Sequence, residues 1–411
     1  MKILVLNAGS SSQKSCVYDL PETHLPTTAP PPLWECAVDW SHHAGVAELK
    51  IQTQDGAVLE ESIPTQKPLD SMAHVLECLW QGKTKVMNDL KEISVVGHRV
   101  VHGGTQYQDS VFVNTAVKAA IADLARFAPL HNPSNLEGIE AIEQVLGNIP
   151  QVAVFDTAFH RTLPLAATLY PGLYAWYQQG IQRYGFHGIS HQYCAQRAAQ
   201  LMGRDLKHLR LIVCHLGNGC SLCAIGNGQS IDTTMGFTPL DGLMMGTRSG
   251  AIDPSIIIYL LRNEGYTPEA VEKLLNRESG LKGISGLSSD MRQIEAAISE
   301  GNTQAQLAFD LFIHRLRSSI GAMLATLGGL DALVFTGGIG EHSSSVRDAA
   351  CCGFDFLGLK LDGLKNEAHP IDQDIAAPDS TIRIFAIHTQ EDWAITKECW
   401  QLITQSSRDK L

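Results

Sequence analysis

At 411 residues, 44% of them hydrophobic, the chain is too long for one ordinary core and has enough apolar sequence to bury two. A formal net charge of −12 and a pI near 5.7 argue against a nucleic-acid or anionic-membrane surface as the main partner. No stretch approaches the roughly 20 apolar residues of a membrane helix, the N-terminal apolar run is too short for a signal peptide, and ten cysteines in such a chain read as reduced thiols. Cytoplasmic residence is the expectation.

The first predicted element is a short strand, Ile3 to Leu6, that feeds a polar turn of small residues and then a lysine. Asn7 can face a cation at the strand end and Gly9 lets backbone approach an anion. Ser10, Ser11 and Ser12 supply donors, and Lys14 adds charge, so the turn suits phosphate. Ser15 to Leu20 reads as the return strand of a hairpin. A stretch with five prolines, beginning at Pro21, then reads as a surface insertion. Strands are predicted near Glu35 to Val38 and Ala47 to Gln52, and a helix over Ser71 to Gln81.

The run ISVVGHRVVHGG predicts a buried strand carrying Arg99, which by itself is as consistent with a satisfied structural arginine as with a ligand. A helix over Thr115 to Phe127 leads to APLHNPSN, read as a loop in which two prolines present His131 and Asn132. Val152 to Phe155 predicts a strand ending at Asp156. A chargeable residue just past a strand's C-terminal end is where open α/β sheets hold ligands. His187 stands between two glycines, and its spacing to His191 is that of a helical metal pair. Gly188 between them and the lack of a third ligand weigh against zinc. Cys220 and Cys223 form a C-x-x-C with no second pair at metal spacing.

The opening layout returns at Leu211 as LIVCHLGNGCSL, half a chain later. IGNGQS predicts a hairpin turn, and FTPLDGLMMGTRSG a long loop presenting Arg248. Helices follow around Ser255 to Arg262 and Pro268 to Leu275, GLSSDMRQ reads as a capped helix start, and Thr303 to Leu327 keeps helical apolar spacing up to Gly328. The strand ALVFT runs into GGIGEH, read as a glycine turn. A last strand, IRIFAI, leads to the acidic turn of HTQEDW and a closing helix. Three glycine turns, each just past a strand at Asn7, Gly217 and Gly337, together with Arg99 and Arg248, outline a site for a polyanion.

These blocks resemble the acetate kinase (acetokinase) family, within the superfamily of acetate and sugar kinases, chaperone ATPases and actin. NAGSSSQK and FTPLDGLMMGTRSG are similar to its two signatures, and GHRVVHGG, APLHNPSN, VFDTAFH, RYGFHGISH, LGNGCSL, IDTTMG and FTGGIGE occur in its order. The resemblance implies an α/β fold of duplicated actin-like (ribonuclease H-like) domains with an interdomain active-site cleft. The first would span residues 1–156 plus about 393–411, and the second 157–392. It implies reversible, ATP-dependent phosphorylation of acetate to acetyl phosphate, with Mg²⁺ (or Mn²⁺), in a homodimer, while the charge and the lack of a long apolar stretch argue against nucleic-acid and membrane partners.

By the same resemblance Asn7 and Glu391 would hold the metal, and Arg99, Asp156, His187 and Arg248 would act in catalysis. Arg99, Val101, Leu130, His131, Phe186 and Pro239 would bind acetate. The nucleotide would meet Ser10, Ser12, Lys14, His215, Leu216, Gly217, Asn218 and Gly219, then Asp290, Met291 and Arg292, then Gly338, Ile339, Gly340, Glu341 and His342. Phosphoryl transfer to an already ionised carboxylate requires no general base, so Asp156 is expected to orient a metal ion or an arginine. The chain departs from the family pattern at Ala251, His342, Asp392 and Trp393. The alternatives are a propionate or other short-chain acyl kinase, and a non-catalytic nucleotide-binding protein.

Overall fold

The computed structural model describes residues 1–8, 12–40, 45–65, 68–129 and 131–408. Gly9, Ser10, Ser11, Leu130 and the Ser12 side chain, to which the sequence assigns ligand contacts, lie outside that description. The chain divides into two compact units, Met1–Ala158 with Gln390–Leu411, and Phe159–Thr389.

In the first unit, β1 (Lys2–Ala8) turns back on β2 (Ser12–Asp19) in an antiparallel register that sets Asn7 opposite Lys14. Ile3, Leu4, Val5 and Leu6 are all buried, as in a strand covered on both faces. β3 (Trp34–Asp39), β4 (Val46–Thr53) and β5 (Val58–Pro64) extend the meander, and β3 and β4 alternate buried and open positions. The proline-rich segment joins β2 to β3 without regular structure. β6 (Ile93–Val100), β7 (Val111–Phe112) and β8 (Gln151–Phe155) complete a sheet of order β5-β4-β3-β2-β1-β6-β8-β7. The pairs β1–β6 and β6–β8 are parallel.

The last helix, Glu391–Arg408, packs on β1 and β6. A side chain at Gly97 of β6 would begin 2.6 Å from Cys399 Sγ and 2.7 Å from Ile395 Cγ2, so only glycine lets the helix lie there.

The second unit repeats the plan with β9 (Arg210–Leu216), β10 (Cys220–Gly226), β11 (Gln229–Thr233), β12 (Ala332–Thr336), β13 (Gln373–Asp374) and β14 (Arg383–Ala386). Its order is β11-β10-β9-β12-β14-β13, with β9–β12 and β12–β14 parallel. Thus β3-β2-β1-β6-β8 and β11-β10-β9-β12-β14 are one topology used twice, the duplicated actin-like architecture. The β10–β11 hairpin turns on Asn227 (φ 54°) and Gly228 (φ 77°), the left-handed pair of a two-residue turn. Helix Thr303–Leu327 starts at Asn302, whose side chain accepts from the Gln304 and Ala305 N–H groups, and stops at left-handed Gly328.

Three readings change. APLHNPSN is not a presenting loop but the start of a helix, Asn132–Leu146, with proline in its first turn, where the missing N–H costs nothing. GGIGEH forms a short helix, Gly337–His342, because the Glu341 carboxylate reaches back to accept from the Gly337 N–H. The acidic turn of HTQEDW is the first turn of the closing helix, which favours carboxylates there.

Candidate active site

In the first unit the strand ends carry the chemistry. Asn7 is the penultimate residue of β1, and its Nδ2 donates to Asp392 Oδ1 at 2.9 Å and to Glu391 Oε2 at 3.2 Å. Two carboxylates from the far end of the chain therefore stand beside the asparagine. Burial raises the pKa of Asp392, against the Asn7 hydrogen bond, and the neighbouring Glu391 charge adds to the rise. The two crowded carboxylates are oxygen donors of the kind hard divalent cations take, and Asn7 turns its amide nitrogen toward them. Among the described residues there is no group of three or more His, Cys, Asp and Glu side chains arranged to hold a metal unaided.

Arg99, near the end of β6, donates from Nη2 to Asp156 Oδ2 at 2.8 Å, and Asp156 follows β8 directly. The pair is nearly closed to solvent, with side-chain exposures of 13% and 1%. Burial works against the Arg99 charge, but Asp156, Glu391 and Asp392 outweigh it and hold the guanidinium's pKa above its ordinary value. Arg99 Nε is buried without a partner among the described residues, so the guanidinium is anchored on one edge only.

Beside it, Val101 is buried, its N–H held by Asn135 Oδ1 at 3.0 Å. Asn132, read from sequence as a presented side chain, is instead fully buried. It accepts from the His102 N–H and donates to the His102 and Ile121 carbonyls, each at 3.2 Å. The HNPSN block thus clamps the strand end that carries Val101, and His131 occupies the helix-cap position before it. This clamp is a role that spacing alone did not reveal.

In the second unit, His187 sits at φ 56°, the left-handed residue that opens helix Gly188–Met202. Its ring stacks on His215 with centroids 4.2 Å apart, and its Nδ1 is 2.9 Å from Ser221 Oγ. Arg248 donates from Nη1 to the Pro239 carbonyl at 3.3 Å. His187 and Arg248 converge on Gly219: a methyl there would stand 3.3 Å from His187 Nε2 and 3.4 Å from Arg248 Nη1. Phe186 is buried, and its carbonyl is 3.0 Å from His160 Nε2.

Two of the predicted nucleotide segments, His215 to Gly219 and Gly338 to His342, lie side by side in this unit. Gly337 has φ 76°, and a Cβ on it would lie 2.8 Å from the Leu216 carbonyl oxygen, so glycine is required where the two turns touch. The Gly246 N–H donates to the Asn218 carbonyl at 3.1 Å, tying the HLGNG turn to the loop before Arg248. Asp290 caps helix Met291–Ser299 and holds the exposed Arg292 guanidinium by two parallel bonds, Nε to Oδ1 and Nη2 to Oδ2.

Two side chains assigned to nucleotide are otherwise engaged. Met291 is buried, which leaves only its backbone for a ligand. The Glu341 carboxylate accepts from the Gly337 and Thr389 N–H groups and the Thr336 hydroxyl, and it pairs with His388 Nδ1 at 2.6 Å. Burial would raise its pKa, but His388 and those N–H groups outweigh burial and hold it below the ordinary carboxyl range. Its role is to shape the turn. Arg347, which sequence reasoning passed over, donates to the Gly340 and Glu341 carbonyls from the other side and is fully buried.

Each unit of this duplicated actin-like fold brings polar side chains or glycine turns to its strand ends, and the chain's family and relatives make it a phosphotransferase with a carboxyl group as acceptor. The sequence model of the acetokinase family matches residues 2–397, and the chain belongs to that family. An acetate kinase of a Cyanothece species is 61% identical over 409 residues, covering 99% of this chain and 100% of that one. Among solved structures, Porphyromonas gingivalis acetate kinase is 37% identical with a TM-score of 0.88, covering 98% of this chain and 99% of that chain. A propionate kinase from Francisella tularensis is 36% identical with the same TM-score of 0.88, covering 97% and 99%.

Proposed function

We propose that the chain catalyses the reversible transfer of the ATP γ-phosphoryl group to acetate, giving acetyl phosphate and ADP by direct in-line displacement. The observation that carries this reading is the buried Arg99–Asp156 pair. Acetate is ionised at neutral pH, so a carboxylate oxygen can attack phosphorus without a base, while the P–O bond to ADP breaks and its electrons stay on the ADP oxygen. What the reaction needs is charge compensation. Arg99, kept cationic by three carboxylates, would bind the acetate carboxylate and offset its repulsion from the phosphoryl group. Asp156 orients Arg99 rather than removing a proton, as it would have to for a hydroxyl acceptor.

His187 and Arg248 would meet the charge that develops on the equatorial phosphoryl oxygens. Val101, Leu130, Phe186 and Pro239 would bound the acetate methyl, and His131 would also bind the substrate. Lys14 with Ser10 and Ser12, and the segments His215 to Gly219, Asp290 to Arg292 and Gly338 to His342, would hold ATP. Asn7, Glu391 and Asp392 would hold Mg²⁺, or Mn²⁺ in its place, with phosphate oxygens completing its ligands. When bound, the cation neutralises phosphate charge.

Homodimerisation is supported by helix Pro254–Asn263, which buries no residue although Ile256, Ile258, Tyr259 and Leu261 are exposed on it. Cytoplasmic residence is supported by ten free cysteines, nine of them buried. No helix among the described residues is long and apolar enough to cross a membrane. The net charge of −12 supports partners other than nucleic acid.

The test is a hydroxamate assay of acyl phosphate with ATP and Mg²⁺ across formate, acetate, propionate and butyrate. Acetate is expected to give the highest kcat/KM, and EDTA to abolish turnover. Failure with every acid would refute the reading. A propionate optimum would favour the second reading, motivated by the equal structural similarity to the Francisella enzyme.

A further inference from the structure

Ser221, the second residue of β10, is fully buried, and its hydroxyl lies between two imidazoles: 2.9 Å from His187 Nδ1 and 2.7 Å from His191 Nε2. His187 and His191 are one turn apart at the start of helix Gly188–Met202, which brings both nitrogens to one oxygen. The sequence marks this pair by its metal-type spacing. Its contact with a single serine hydroxyl identifies a different use.

A hydroxyl has one proton. It donates to one of the two nitrogens and accepts from the other, so the protonation of His191 and that of His187 are linked through Ser221. In one arrangement Ser221 donates to His191, His187 carries its proton on Nδ1, and its Nε2 presents a bare lone pair beside Gly219 and Arg248. In the other, His191 Nε2–H donates to Ser221, Ser221 donates to His187 Nδ1, and His187 presents Nε2–H on the side it shares with Arg248. An anionic phosphoryl group repels the first and is stabilised by the second. A doubly protonated His187 is disfavoured by the nearby Arg248 guanidinium.

We propose that His191 and Ser221 are positioning residues that lock His187 in the neutral Nε2–H tautomer, so that it reaches the phosphoryl group as a hydrogen-bond donor. The inference rests on the proposed role of His187 in phosphoryl transfer. The left-handed backbone at His187 complements the lock, because it lets the residue precede its helix while its ring turns back to β10.

Two readouts test it. Long-range ¹H–¹⁵N NMR of the ¹⁵N-histidine-labelled full chain at pH 7.5 is expected to show His187, assigned by its loss in His187→Gln, as the neutral Nε2–H form. In Ser221→Ala the same signal is expected to move toward a mixture of tautomers. In kinetics, Ser221→Ala and His191→Leu are expected to lower kcat for acetyl phosphate formation by about ten- to a thousandfold, the range for a lost or misdirected transition-state donor, with KM for acetate and ATP within about twofold. His191→Gln, which keeps an N–H at the position of Nε2, is expected to stay within about threefold of wild-type kcat. A His187 signal of Nδ1–H or imidazolium type overturns the proposal, and so does a Ser221→Ala enzyme with wild-type kcat. The tautomer is read without turnover. A wild-type chain that makes no acyl phosphate therefore removes the functional reading, whereas a wrong tautomer in an active enzyme removes only this one.

Discussion

Replacing Asp156 by asparagine separates the two roles a carboxylate could have at this position. The side chain keeps its shape and an oxygen facing Arg99, but loses its charge from an ion pair only 2.8 Å long with side-chain exposures of 13% and 1%. At an effective dielectric of about 20 the gross attraction is ~6 kcal/mol, and desolvation of both groups takes back much of it. Removing one partner leaves a buried cation, which typically costs about 3 to 5 kcal/mol. The amide of the Asp156→Asn variant retains an acceptor, and Glu391 and Asp392 still face Arg99, so we expect the lower end, about 3 kcal/mol. Urea unfolding followed by tryptophan fluorescence measures it well, since Trp34, Trp40, Trp80, Trp393 and Trp400 all belong to the unit that contains Asp156. Turnover is expected to fall by about a hundredfold or more because Arg99 loses its orientation. The pH–rate profile is decisive. If Asp156 only orients Arg99, the acid limb follows ionisation of the acetate carboxylate and survives in Asp156→Asn. Loss of that limb in the variant, or near-normal kcat, would refute the reasoning.

Gly219→Ala places a methyl 3.3 Å from His187 Nε2 and 3.4 Å from Arg248 Nη1, where the phosphoryl group is proposed to be met. We expect kcat/KM to fall by roughly tenfold or more with an unchanged melting temperature, and equal kinetics would show that this space is not used. Arg248→Ala is expected to keep a normal melting curve and lose acetyl phosphate formation about a hundredfold or more. Val101→Ala is expected to shift the propionate-to-acetate kcat/KM ratio up by as much as about tenfold, one methylene being worth roughly 1 to 3 kcal/mol. An unchanged ratio would place Val101 outside the pocket. His98, buried against Gln151 Oε1 at 2.6 Å, has its pKa pushed down to about 4 by burial. The unfolded chain therefore takes up this proton first as pH falls below about 6.5, and folding loses about 2 kcal/mol between pH 7.5 and 5 at this residue. His98→Gln is expected to flatten the pH dependence of the urea midpoint by that amount, and an unchanged slope would count against it.

Local chemistry made much of this protein legible. Apolar runs and glycine turns marked β1, β6, β8, β9 and β12, because a strand buried on both faces has few alternatives. Asn227-Gly228 marked its hairpin, and Gly328 ended a helix of 25 residues, since left-handed turns and helix stops depend strongly on residue type. The helix Asn132–Leu146 was missed because NPSN reads as a turn until its asparagines are seen holding the backbone after β6. GGIGEH was read as bare glycine turn because nothing in its composition shows that Glu341 will fold back on Gly337.

The sequence alone determined many of the elements and which residue types stand at the strand ends, since these follow from periodicity, caps and turns within a few residues. Only the tertiary structure decided what those residues touch. Asn7 meets Glu391, 384 positions away, because the closing helix packs on β1 and β6. Arg99 meets Asp156 because β6 and β8 are parallel neighbours, and Ser221 falls between His187 and His191 because β10 passes the start of their helix. Pairings of this kind depend on strand order and helix packing, which bring distant segments together and which no local pattern encodes.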